Sequence, residues 1–129
     1  MSLTNKQNAL GYENVVVEYS EYDFPVLYVG ILRNDCPHKY GMIYKVNCGI
    51  KLYEGGWLNG TKHGYGKEYY DIFFPKLKYN WGFYKGLRNG MGKSYHTNGK
   101  VEYSGWWEQN NPTKAFAIEY SQKGDITIF

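Results

Sequence analysis

The stretch Tyr53-Glu54-Gly55-Gly56-Trp57-Leu58-Asn59-Gly60-Thr61-Lys62-His63-Gly64-Tyr65-Gly66 decides the fold. Tyr53, Gly55 and Trp57 are spaced by two, which places all three on one face of a strand, and the glycine between the rings leaves them room. Gly60 is a turn former, and His63-Gly64-Tyr65-Gly66 follows on the returning segment. The stretch therefore reads as strand, turn, strand.

The same unit recurs on both sides of it. Tyr28, Tyr53, Tyr79 and Tyr103 open units separated by 25, 26 and 24 residues. Seven residues after each tyrosine stand Asp35, Gly60, Gly86 and Asn110, all turn formers. The pair Gly64 and Gly66 returns as Gly90 and Gly92, with Gly41 at the second position in the first unit. Asn47-Cys48-Gly49, Pro75, Asn98-Gly99 and Lys123-Gly124 close the units. The predicted units are 28–52, 53–78, 79–102 and 103–124, with residues 1–27 as an N-terminal partial repeat or cap and 125–129 as a capping or pairing segment. Across neighbouring hairpins the aromatic residues are expected to stack into ladders that form the core.

Tyr-x-Gly-x-Trp followed by Gly and then His-Gly-x-Gly resembles the MORN repeat (membrane occupation and recognition nexus). Tyr53 to Gly66 carries nearly every position, Tyr79 to Gly99 most of them with Trp81-Gly82 displaced by one, and Tyr28 to Gly49 and Tyr103 to Gly124 are degraded copies. Upstream, Glu18 to Pro25 is similar to the rear half of the second unit, Tyr69 to Pro75. The resemblance implies an all-β fold, a single-layered, twisted, elongated antiparallel sheet of consecutive β-hairpins, in agreement with the strand and turn reading. It also implies a scaffold or adaptor at membranes, cytoskeletal structures or cilia, with any catalysis in a separate domain.

Composition excludes several classes. A chain of 129 residues is the size of one domain, and 43% hydrophobic with 21% charged residues is neither disordered nor collagen-like. Its 15 Tyr, 6 Phe, 4 Trp and 16 Gly favour strands and tight turns over helices. The longest apolar run, Val26 to Leu32, falls short of the roughly 18–20 residues of a membrane-spanning helix, and the start Met1 to Lys6 has no signal-peptide core. A cytoplasmic protein, peripheral to a membrane or the cytoskeleton, is expected. Cys36 and Cys48 lie in turns at opposite ends of one hairpin, beyond disulfide reach, and are expected to be free thiols.

Catalytic chemistry has few parts to draw on. His38, His63 and His96 sit near turns of different units and, with the cysteines, show no C-x-x-C or H-x-x-x-H spacing, so neither metal nor cofactor is expected. No Gly-x-Ser-x-Gly elbow occurs, and no Lys-Ser or Lys-Thr follows Gly64-Tyr65-Gly66 at P-loop spacing. The expected function is a non-enzymatic protein-binding scaffold module. Tyr53, Trp57, Tyr79, Phe83, Tyr103 and Trp107 are its candidate groove for a peptide or helix.

Charge suggests a second reading. Residues 28–102 hold 12 Lys and Arg against five acids, and Lys62, Lys76, Lys78, Lys85 and Arg88 fall in or beside turns as a candidate margin for anionic lipid. No contiguous basic cluster forms, and a solvated face that keeps an aromatic sheet soluble accounts for the same residues; nucleic acid is not expected. A third reading is an accessory subunit or inhibitor of an enzyme encoded elsewhere. At the C-terminus, Phe116, Ile118, Ile126, Ile128 and Phe129 form a candidate homodimer edge, with folding of the tail onto its own sheet as the alternative.

Overall fold

The computed structural model describes the backbone of Asn5–Gln7 and Glu13–Glu18 and, with side chains, residues 21–129. Those residues contain no helix. Strands β1 (Asn5–Gln7), β2 (Glu13–Glu18), β3 (Pro25–Arg33), β4 (Cys36–Lys45), β5 (Lys51–Leu58), β6 (Thr61–Tyr69), β7 (Leu77–Tyr84), β8 (Leu87–Tyr95) and β9 (Val101–Glu108) pair in chain order in one open antiparallel sheet. Both β10 (Asn111–Pro112) and β11 (Ile118–Tyr120) pair with β9, and β12 (Ile126–Ile128) pairs with β11. The returning strand of the last unit is thus broken at 113–117, where Lys114 and Phe116 have positive φ.

The residues seven places after each tyrosine close the hairpins. In Asn34-Asp35, Asn59-Gly60, Lys85-Gly86 and Gln109-Asn110 both residues have positive φ, the signature of the two-residue type I′ turn that matches strand twist. These turns share one rim, the turn rim. The connections 46–50, 70–76, 96–100 and 121–125 share the other, the loop rim.

The unit tyrosines form the core. Tyr28, Tyr53 and Tyr79 are fully buried and Tyr103 nearly so. Each donates its hydroxyl to the carbonyl three residues on, that of Ile31 at 2.7 Å, Gly56 at 2.8 Å, Gly82 at 2.8 Å and Trp106 at 2.9 Å. Between them stand Trp57, Phe83 and Trp107, so the rings run Tyr28, Trp57, Tyr53, Phe83, Tyr79, Trp107, Tyr103 with every step edge-to-face at 5.1–5.4 Å. That geometry suits the ring quadrupoles and contributes beyond area burial. The rings of Tyr28, Tyr53 and Tyr79 lie against Gly41, Gly66 and Gly92. A Cβ on Gly66 or Gly92 would come within 2.3 or 2.2 Å of the Tyr53 or Tyr79 hydroxyl.

Opposite the ladder strand, the residue nine places after the tyrosine lies across it. Pro37, Lys62, Arg88 and Pro112 face Leu32, Trp57, Phe83 and Trp107. Lys62 Nζ stands 4.7 Å from the Tyr53 ring centroid, and the Arg88 guanidinium 4.6 Å from Tyr79 and 5.2 Å from Trp107. Tyr22 and Phe24, from the connection before β3, pack on the same face. The described part of the expected N-terminal partial repeat or cap therefore divides: Glu13–Glu18 is a paired strand, and Tyr22 and Phe24 pack on the ladder.

The buried phenols make stability pH-dependent. Burial is the main cause that raises Tyr28 and Tyr79 well above the ordinary tyrosine range. Their folded pKa exceeds the unfolded value of about 10, so this stability is present below pH 10 and is lost as pH rises from there through the folded pKa. Denaturant titrations are expected to show unfolding free energy falling by up to about 1.4 kcal/mol per pH unit per tyrosine above about pH 10. A flat profile from about pH 9 to 11 contradicts this.

Candidate functional site

The structure puts the predicted groove inside the protein. Tyr53, Trp57, Tyr79, Phe83, Tyr103 and Trp107 are all at most 5% exposed and spend their ring faces on one another and on Lys62 and Arg88. They are the core, and no partner reaches them in this state. A single layer hides this face because cationic side chains and Tyr22 and Phe24 cover it.

The five candidate basic residues do not share a margin. Lys62 is fully buried, with Nζ 2.7 Å from Glu21, and Arg88 Nε is 2.8 Å from Glu68. Lys85 is exposed in a turn of the turn rim, whereas Lys76 and Lys78 lie by the loop rim. Of the candidate dimer residues, Ile118 sits in β11, and Ile126 and Ile128 belong to β12 and pair with β11 of their own chain. The Phe129 N–H donates to Ala117 O at 2.9 Å, and Phe116 is 98% exposed in the broken segment. The tail folds back, and the outer side of β12 is the end of the sheet.

The histidines are held apart. His38 is buried in β4, the His63 ring lies 5.7 Å from Tyr84, and His96 Nε2 is 2.8 Å from Tyr120 O with Nδ1 3.4 Å from Glu102. Cys36 and Cys48 are exposed free thiols, as expected.

The sheet face away from the ladder is open, and its pattern is periodic. Residues 12 places after the unit tyrosines, Tyr40, Tyr65 and Met91, point to this face, since the neighbouring Gly41, Gly66 and Gly92 belong to the ladder. In one transverse row Tyr40 faces Gly56 and Tyr65 faces Gly82, whereas Met91 faces Trp106, which stands where the two preceding units have glycine. Tyr40, Tyr65, Met91 and Trp106 are 39%, 73%, 49% and 46% exposed. Hollows lie between them. One of about 410 Å³ is lined by Tyr40, Glu54, Tyr65, Lys67 and Asn80, and another of about 290 Å³ by Met91, Trp106, Thr113 and Phe116.

Trp81 adds to this row at a conformational cost. It pairs with Gly66 and Gly92, the register Gly55 holds against Gly41 and Gly66, so the third unit is not displaced; a tryptophan stands where its siblings have glycine. Its φ of 128° lies in a region that side-chain-bearing residues rarely adopt, and its half-exposed ring stands 6.1 Å from that of Tyr65. The neighbouring row on this face carries Lys67 and Lys93, neither ion-paired among the described residues, while Glu54 is held 3.4 Å from Lys51. The signal for Tyr65 and Met91 was in the repeat, at the middle of Gly64-Tyr65-Gly66 and Gly90-Met91-Gly92, a position that the Tyr-x-Gly-x-Trp pattern leaves out.

No protein-family model matches this chain, and no curated protein matches it.

Proposed function

We propose that the protein is a non-enzymatic interaction module, built of MORN-like repeats, that binds a polypeptide segment across the open face of its sheet. Trp81 carries the reading: an exposed aromatic residue kept in a strained backbone conformation contributes little to folding and much to a surface. The glycines opposite Tyr40 and Tyr65, and the exposed Met91 and Trp106 beside them, support it by leaving hollows between anchors. Lys67 and Lys93 beside the row favour a segment that bears carboxylates next to its apolar residues.

The test is selection of displayed peptides on the full chain, followed by affinity measurement on variants. Tyr65→Ala/Trp106→Ala is expected to weaken selected binders by at least about tenfold, the effect of hot-spot loss. Trp81→Gly is expected to weaken them too while leaving stability unchanged or raising it by up to about 1 kcal/mol, since relief of strain offsets the entropy of the added glycine. Binders indifferent to all three substitutions would move the site elsewhere.

A further inference from the structure

The connection between β6 and β7 is longer than its neighbours 46–50 and 96–100, and it ends in the least covered aromatic pair of the loop rim. Phe73 and Phe74 are 80% and 81% exposed, and Ile72 beside them is 40% exposed. The base of this loop is fixed. Tyr70 N–H donates to Lys76 O at 2.9 Å, the Tyr70 hydroxyl to Tyr95 O at 2.6 Å, and Lys76 Nζ to Thr97 O at 3.0 Å, while Lys45 Nζ lies 2.9 Å from Asp71. A rigid base thus presents an apolar tip that touches none of the core.

Charge decides what the tip meets. Segments 45–51, 70–78 and 96–100 hold Lys45, Lys51, Lys76, Lys78 and Lys100 against one acid, Asp71, which Lys45 neutralises. Lys76, Lys78 and Lys100 are exposed, and among the described residues none of them is in an ion pair. Lys76 binds only a backbone carbonyl, and Lys78 stands 5.8 Å from the Tyr70 ring, so both keep their charge for an external anion. An apolar wedge ringed by unneutralised ammonium groups matches the boundary between acyl chains and anionic headgroups. The loop offers a partner protein neither a strand edge nor a helix face.

We propose that residues 70–76 form a membrane-contact loop: Phe73 and Phe74 enter the interface of an anionic bilayer, and Lys76, Lys78 and Lys100 meet its headgroups. Recognition is by surface charge and apolar insertion, without a pocket for one headgroup. The loop stands apart from the open face, so either site can fail without the other.

Sedimentation of the full chain with vesicles tests this, using phosphatidylcholine alone and phosphatidylcholine with roughly a quarter phosphatidylserine. The protein is expected to sediment with the anionic vesicles only, less so as salt rises. Phe73→Ser/Phe74→Ser is expected to lower partitioning at least about tenfold, and each of Lys76→Ala, Lys78→Ala and Lys100→Ala about fivefold. Thermal unfolding of the phenylalanine, Lys78→Ala and Lys100→Ala variants should match the parent, because those side chains are exposed and hold nothing in the loop base, whereas Lys76→Ala also loses the bond to Thr97 O and should fall slightly. Failure to bind either vesicle overturns the proposal, as does wild-type partitioning by the phenylalanine variant, which reduces binding to adsorption by lysines. A peptide ligand that protects Phe73 and Phe74 while vesicles do not makes the loop a protein-docking element and overturns it equally.

Discussion

Trp57→Ala is expected to destabilise the protein by about 3–5 kcal/mol, whereas Lys85→Ala should change stability by less than about 0.5 kcal/mol. Trp57 is 3% exposed and is the ring through which the first and second units touch, 5.4 Å from Tyr28 and 5.2 Å from Tyr53. Its indole N–H also donates to Gly41 O at 3.1 Å. Alanine removes both edge-to-face contacts and the indole's hydrogen bond to Gly41 O, and it leaves a cavity. Lys85 is exposed in a turn, with Nζ 5.4 Å from the Tyr84 ring, where a cation–π contact contributes little. In a sheet built of repeats, stability is a sum of unit and interface terms, so loss of Trp57 should also loosen the first unit from the rest. Denaturant titration reads both effects: a lower midpoint, and a shallower or two-step transition for Trp57→Ala alone. Equal midpoints for the two variants contradict the ladder.

The hairpins were legible in the sequence because turn chemistry and side-chain alternation point the same way in each unit. Asn59-Gly60 and Lys85-Gly86 adopt the left-handed φ that glycine permits, and the two-residue turn then fixes Trp57 against Lys62 and Phe83 against Arg88. The ladder was legible for the same reason. What covers it was not. A lysine two residues after a turn glycine reads as solvated, yet the register places Lys62 on the ladder face, and its counter-ion Glu21 is 41 residues away in sequence. Trp81 misled differently: its indole departs from the glycine pattern and suggests a slipped register, whereas the backbone keeps register and takes up the misfit as positive φ. The loop 70–76 breaks the period, and its exposure depends on how neighbouring loops anchor its base.

Removing the counter-ion of Lys62 is expected to cost about 1–3 kcal/mol, and removing the charge with it should restore most of that loss. Lys62 Nζ is fully buried between the Tyr53 and Phe83 rings, 4.7 and 5.9 Å from their centroids, with Glu21 at 2.7 Å and the Tyr22 hydroxyl at 3.4 Å. Glu21→Ala leaves that ammonium buried with, among the described residues, ring quadrupoles and one hydroxyl to replace its hydration. The cost stays below that of a fully buried pair because the Glu21 side chain is 38% exposed and water reaches the site from that side. Lys62→Met keeps the length that lies across Tyr53 and asks only that Glu21 return to solvent, so it should cost less than about 1 kcal/mol. The double variant should then be more stable than Glu21→Ala alone. Thermal or chemical unfolding of the four proteins closes the cycle. The ordering with Glu21→Ala lowest, and only weakly improved or worsened by salt, identifies a buried pair that fastens the 21–24 segment over the ladder. If Glu21→Ala is silent while Lys62→Met is severe, the lysine holds the ladder through cation–π contacts and the segment before β3 is dispensable.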